Sequence, residues 1–374
     1  MGLGLRTALS AVRYAWRYQR AGGTAPATSD ASIHAAANWL CAAQDVTGEG
    51  GFARAYSMPN GWQLPYPETT GYIIPTLLAL NGRFPDFHLA GRAWSAGAWL
   101  AQVQFPSGAI CSKQHRPGNT KPSVFNTGMV LHGWVSLLEQ KPDDRLREAA
   151  SRAVTWLLRE QEPDGSWQKN AFNAIPHTYY TMVDWALIRY AALARDERAR
   201  AAAVKHLEWT LRQQRPNGWF DRCWFDPGEA VTTHTLSYTT QGLVESARLL
   251  DEKKFAEAAR RATEPLRCHF EQYGTLPGTF DENWRPTARW ECCTGNAQTS
   301  LVWQALGRFT GEKKCLEGAQ SLNRRLLQYQ KVNCRVPGIN GAIPGSWPIH
   351  GAYDRHAFPN HAAKFHLDAL CAQS

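Results

Sequence analysis

The stretch 144-DRLREAASRAVTWLLREQEPDG-165 carries a helix to a tryptophan and a glutamine, then turns through Pro163, Asp164 and Gly165. Leu146, Ala149, Ala153, Trp156 and Leu157 recur at helical spacing while charges fill the other positions, the pattern of a helix with one packed face. The same punctuation returns along the chain. Trp39-Leu40 with Gln44 precedes Gly50-Gly51, Trp99-Leu100 with Gln104 precedes Pro106-Ser107-Gly108, and Trp209 with Gln214 precedes Pro216-Asn217-Gly218. The glutamine follows the tryptophan by five residues each time, and the tryptophans step by 60, 57 and 53 residues. Two weaker copies follow: a helix ending near Phe270, and Arg325 with Gln330, where arginine takes the tryptophan slot. A fixed period of this length marks a repeat architecture.

Between the copies lies a second kind of helix, apolar nearly all round, over 70–80, 126–138, 178–193, 235–250, 294–309 and 362–370. A helix apolar on every side is buried on every side. Six amphipathic helices alternating with six buried ones describe an outer ring around an inner ring, and the last inner helix pairs with the first outer one, over 32–44. The expected fold is therefore all-α, an (α/α)6 toroid of six helical hairpins. No hairpin can bury its own face alone, so residues 31–374 are expected to form a single domain, behind a basic extension over 1–30.

Composition agrees with a globular chain: 44% of its 374 residues are hydrophobic and 20% charged, with no apolar run long enough to span a bilayer. The nine cysteines are odd in number, scattered and free of CxxC spacing, which points to reduced thiols and a cytoplasmic location. Arg6, Arg13, Arg17 and Arg20 contribute four of the net nine positive charges. Leu3, Leu5, Leu9, Val12 and Trp16 could line one face of a helix there, packed on the body or, alternatively, resting on an anionic membrane. The remaining excess charge weakly favours an acidic partner, and nucleic acid is not expected.

Each inner helix begins in a polar cluster: Glu68-Thr69-Thr70-Gly71-Tyr72, Phe125-Asn126-Thr127-Gly128, His177-Thr178-Tyr179-Tyr180, His234-Thr235-Leu236-Ser237-Tyr238, Cys293-Thr294-Gly295-Asn296 with Gln298, and Asn360-His361 with Lys364. Capping of free N–H groups explains one Thr or Asn per helix. It leaves His, Tyr and Gln one turn further in unexplained. A closed ring gathers all six N-termini at one mouth, where their dipoles favour a negative ligand.

The Trp…Gln…Gly repeat resembles that of the terpenoid-cyclase and protein-prenyltransferase toroids. The inner-helix motifs, with the closing Gly341…Gly345-Ser346-Trp347-Pro348…Tyr353…Pro359-Asn360-His361-Ala362-Ala363-Lys364-Phe365, more nearly resemble toroid proteins of bacterial polysaccharide clusters. Those are relatives of α/α-barrel polysaccharide lyases, uronyl hydrolases and the helical domain of glucuronyl C5-epimerases. The chain has no DxDD or DDxxD, since Asp143-Asp144 runs into Arg145 and Asp184 stands alone, so an isoprenoid substrate is the weaker implication.

The resemblance implies an acidic, uronate-containing glycan and chemistry at C5, by a lyase or an epimerase. Asn or Gln would hold the carboxylate while His or Tyr moves the proton. His177, Tyr180, His234 and Tyr238 are the catalytic candidates, with His177 and His234 facing one cavity and the tyrosines one turn deeper. Glu68, Tyr72, Asn126, Tyr179, Asn296, Gln298, His361 and Lys364 are the candidate substrate contacts inside the mouth. Trp62 and Arg116 join them from loops able to stack on sugars and grip acids. Hydrolysis is the rival reading and needs two carboxylates, for which Asp184 and Glu68 are the first candidates, with Asp281 or Glu282 behind them. A non-catalytic glycan-binding toroid is the third. No cofactor is expected, and no metal: Cys292 and Cys293 find only His234 and Glu291 as neighbouring donors, short of a closed site.

Overall fold

The computed structural model describes residues 12–116, 118 and 121–373. Its outer helices are α1 (Ser29–Asp45), α3 (Leu89–Val103), α5 (Asp144–Glu160), α7 (Glu197–Arg212), α9 (Lys253–Tyr273) and α11 (Lys313–Leu327). Its inner helices are α2 (Pro67–Ala79), α4 (Val124–Gln140), α6 (Thr181–Ala194), α8 (Thr233–Leu250), α10 (Cys293–Thr310) and α12 (Asn360–Cys371). Each inner helix packs on the next, α2 on α4 and so on round to α12 on α2, which closes the inner ring. Burial separates the two kinds. In α4 every residue from Val124 to Leu138 is buried, whereas α5 buries only the stripe through Leu146, Ala149, Ala153, Trp156 and Leu157. The strands among the described residues run two or three residues each and only stitch the mouth loops together.

The repeated glutamine staples neighbouring hairpins. Gln44 Nε2 donates to its own turn, at Gly50 O, and to the next outer helix, at Arg92 O, over 2.7 and 3.0 Å. Gln104 does the same to Gly108 and Ala149, Gln161 to Gly165 and Ala202, and Gln214 to Gly218 and Ala258. Gln330 closes the series by donating to Gly341 O and to Ser32 O, the latter on α1. The turn glycines must be glycine for two reasons. They hold φ between +85 and +101°, and a Cβ on Gly108 would stand 2.2 Å from Arg152 O. The Trp…Gln…Gly repeat is thus a device that joins neighbouring hairpins at five of the six copies.

The long connections all run from an outer helix to an inner one, so they gather over the inner N-termini. The longest lies between α11 and α12. A small antiparallel sheet of Gly61–Trp62, Ala55–Ser57 and Ala357–Pro359 ties it to the first mouth loop. The N-terminal segment is helical over 12–20 and docks through Tyr18, whose hydroxyl donates to Tyr329 O and whose ring lies under Lys331. The described part of the face expected to pack is not the packed one. Val12 and Trp16 are exposed and Tyr18 and Ala21 are buried, while Leu3, Leu5, Leu9 and Arg6 lie outside the described residues. The membrane alternative gains no support from this docking.

Candidate active site

Six inner N-termini meet at the mouth, and part of their polar character is structural, holding the loops. Thr70 Oγ1 accepts from Phe52 N, Thr127 Oγ1 from Ile110 N, and Asn360 Nδ2 donates to Ala53 O. Asn126 Nδ2 is taken by Cys111 O and Asn296 Nδ2 by Glu291, so these two expected carboxylate holders are occupied by their own loops. Glu291 is in turn gripped by Arg325 and by the Tyr329 hydroxyl, which explains arginine in the sixth tryptophan slot. Cys292 Sγ caps α10 by accepting from Gly295 N at 3.4 Å.

What remains is a cluster of aromatic and titratable side chains between the inner helices. Tyr72 of α2 and Tyr238 of α8 come from opposite sides of the ring, and their hydroxyls meet at 3.3 Å. With Phe365 and Phe125, whose rings lie 5.9 and 5.2 Å from that of Tyr238, they make an aromatic floor. Above it stand His234 and His361, one from α8 and one from α12, with ring planes 20° apart and centroids 5.7 Å apart. Tyr353 leans between them, its centroid 5.3 Å from His234 and its hydroxyl 3.0 Å from His361 Nε2. Glu68, Tyr66, Tyr353 and Asp354 keep part of their surface open on the solvent side of this cluster. Arg54 pairs with Asp354 at 2.7 Å, and Asp354 reaches His361 Nε2 at 3.5 Å.

The electrostatics separate these groups. Burial, with the nearby His361 and against the Gln298 hydrogen bond, lowers His234 to about 3, so the imidazole is neutral. Burial also lowers His361, opposed by Asp354. The two carboxyls diverge. Burial lifts Glu68 to about 7, although the Tyr66 hydroxyl and Arg54 pull it down. Burial would raise Asp354 as well, but Arg54 and His361 together outweigh it and hold the group below the usual carboxylate range. Burial keeps Tyr72 and Tyr238 protonated.

The remaining candidates fall in three places. His177 lies on the lead-in to α6 rather than facing His234: Nδ1 contacts Trp224 O at 3.1 Å and Nε2 contacts Phe172 O at 2.9 Å, which ties both nitrogens to backbone. Tyr179 and Tyr180 form a 3-10 turn there, and the Tyr180 hydroxyl, expected one turn deep in the helix, accepts from Phe172 N at 2.8 Å. Asp184 is a correction: fully buried between the rings, it contacts His206 of α7 at 2.6 Å and is absent from the axial cluster. Lys364 sits deeper than expected, paired with Asp368 and over the Phe365 ring. Gln298 is fully buried behind His234. Trp62 is half-buried against Trp39 and Tyr56, while Arg116 is exposed on its loop, beside Gln114. Asp281 accepts from Asn283 N within its own loop, and Glu282 pairs with Arg215. Two open surface clefts, one beside Pro163 and Lys169 and one beside Gln44 and His88, contain none of the axial residues.

Sequence reasoning passed over Arg54 and Asp354, and took Tyr66 only as part of the aromatic loop that begins at Trp62. Arg54 and Asp354 are 300 residues apart and meet only because the ring closes. The available signal was the unusual length of the last mouth loop, since long structureless connections are often functional.

No known family matches the chain, and no curated protein does. Solved structures do. An unsaturated glucuronyl hydrolase specific for heparin superposes with a TM-score of 0.71 at 16% identity, over 92% of this chain and 96% of that one. An unsaturated glucuronyl hydrolase from Bacillus sp. GL1, responsible for the degradation of glycosaminoglycan, gives 0.71 at 15% identity over 91% and 95%. A sugar epimerase from a ruminal bacterium gives 0.70 at 12% identity over 92% and 98%. At these identities the likeness establishes the α/α-toroid fold.

Proposed function

We propose that the chain is a carbohydrate-active enzyme that brings a uronate-bearing sugar to the cluster around His234 and His361 and moves its C5 proton, as an epimerase or a lyase. The carrying observation is the pair of buried imidazoles, His234 and His361, stacked above an aromatic floor. His234 serves as the base, being neutral across the working pH range. His361, coupled to Tyr353, serves as the opposing proton carrier. Tyr72, Tyr238 and Phe365 offer flat faces to a sugar ring. Arg54, and Glu68 whenever its carboxyl, lifted to about 7, carries a proton, would donate to a carboxylate.

A second reading, hydrolysis, is favoured by one specific feature: burial lifts the Glu68 carboxyl to about 7 while Arg54 and His361 hold Asp354 below the usual carboxylate range. A pair driven apart in this way suits a general acid and a general base. The hydrolase structures named above fit that reading as well as the epimerase fits the first.

Incubating uronate oligosaccharides in deuterated water separates the two. An epimerase leaves deuterium at C5, whereas a lyase leaves a C4–C5 double bond with no hydrogen on C5; whichever product wild type gives, its formation should fall by about 10²–10⁴-fold in His234→Ala and His361→Ala and persist in Glu68→Gln. Ultraviolet absorbance of an unsaturated product would then distinguish elimination from epimerisation. If Glu68→Gln and Asp354→Asn stop the release of new reducing ends while both histidine variants stay active, hydrolysis is the reaction.

A further inference from the structure

His234 Nδ1 lies 2.5 Å from Gln298 Oε1, and Gln298 Nε2 lies 3.4 Å from Gln241 Oε1. Gln298 is fully buried on α10 and Gln241 nearly so on α8, two turns below His234. A carboxamide is uncharged, so this chain can set where the imidazole proton sits without raising the charge of the ring. With Gln298 Nε2 donating toward Gln241, its oxygen is left to accept, and the proton on His234 must then sit on Nδ1. Nε2 has no hydrogen bond among the described residues.

We infer that Gln298, oriented by Gln241, is a positioning residue that locks His234 in the Nδ1–H tautomer and presents a bare Nε2 to the substrate. This rests on the reading of His234 as the base, but the tautomer itself can be observed without any substrate. The groups facing the imidazole are Tyr238 on its own helix α8, His361 on α12, and Tyr353 in the last mouth loop, with Asp354 and Arg54 behind them. None of them is placed to accept from Nδ1, which leaves the choice of tautomer to Gln298.

The test is imidazole nitrogen NMR on the full chain with labelled histidine, the His234 signals assigned by loss in His234→Ala. Wild type should show a protonated Nδ1 and an unprotonated Nε2 near neutral pH. Gln298→Leu should mix the tautomers and lower kcat by about 10–100-fold with KM little changed, the range for groups that orient a working imidazole. Gln298→Glu, which can only accept, should restore the Nδ1–H tautomer and move the titration of His234 upward. Its pH–rate profile should then gain an acid limb that wild type lacks. A wild-type Nε2–H tautomer, or an unchanged tautomer in Gln298→Leu, overturns the inference whether or not the variant folds well. The expected tautomers with no turnover of any uronate would leave the positioning role standing and remove the proposed reaction instead.

Discussion

Glu68 and Asp354 lie on the solvent side of one cluster, yet the protein treats them oppositely. The Glu68 carboxyl is lifted to about 7, so the folded chain holds a proton there that the unfolded chain has released. By linkage this contribution to stability is present at acid pH and is lost as pH rises from the ordinary carboxylate range through about 7. Glu68→Gln should therefore flatten the decline of the unfolding midpoint between pH 5 and 8 and raise it at the alkaline end, read by thermal denaturation across that range. An unchanged slope would show that Glu68 is ionised in the folded chain. Asp184 was legible as costly but not as placed: a buried carboxylate needs a partner, and the partner proved to be His206 on an outer helix, a pairing across the rings that no local spacing displays. His234 and His361 were both visible as polar breaks in apolar helices. Their meeting was not, because it depends on how far the ring curves between α8 and α12.

Most of what could be read in advance belongs to the helices, because their periodicity is local and repeated. The glutamine five residues beyond each tryptophan was visible as a pattern, and its purpose appears only when two hairpins lie side by side. The fifth copy, weak in sequence, lacks the staple: Gly274 ends α9 and a Cβ there would meet nothing within 4 Å. This gives a comparison within one molecule. Gln161→Ala removes two hydrogen bonds, to Gly165 O and Ala202 O, and should cost about 1–3 kcal/mol. Gly165→Ala should cost at least as much, since it combines φ of +98° with a Cβ 2.6 Å from Lys205 O. Gly274→Ala meets only the backbone penalty and should cost less than Gly165→Ala. Urea midpoints for the three variants decide this, and equal losses at Gly165 and Gly274 would argue against the staple.

A ring has to be closed, and here closure is made by the same staple working between the two ends of the sequence. Gln330 donates to Ser32 O, while Ser32 Oγ contacts both Gln330 Oε1 and, at 2.8 Å, His366 Nε2. Burial lowers His366 to about 4, so the contact is made by a neutral ring. These residues are separated by 298 and 334 positions, so their contact comes at the loop-closure cost of nearly the whole chain. Closure also delivers the site, since the sheet that joins the first and last mouth loops carries Arg54 toward Asp354. Stability and site geometry should therefore be coupled at the seam and nowhere else around the ring. Gln330→Ala should lower the urea midpoint by an amount similar to Gln161→Ala, because the lost hydrogen bonds are alike. Unlike Gln161→Ala, it should also loosen the Arg54–Asp354 pair, and the pH titration of His361 should shift in Gln330→Ala alone. Histidine NMR titration beside urea unfolding measures both effects. The same His361 shift in both variants, or in neither, would mean that the seam is only one joint among six.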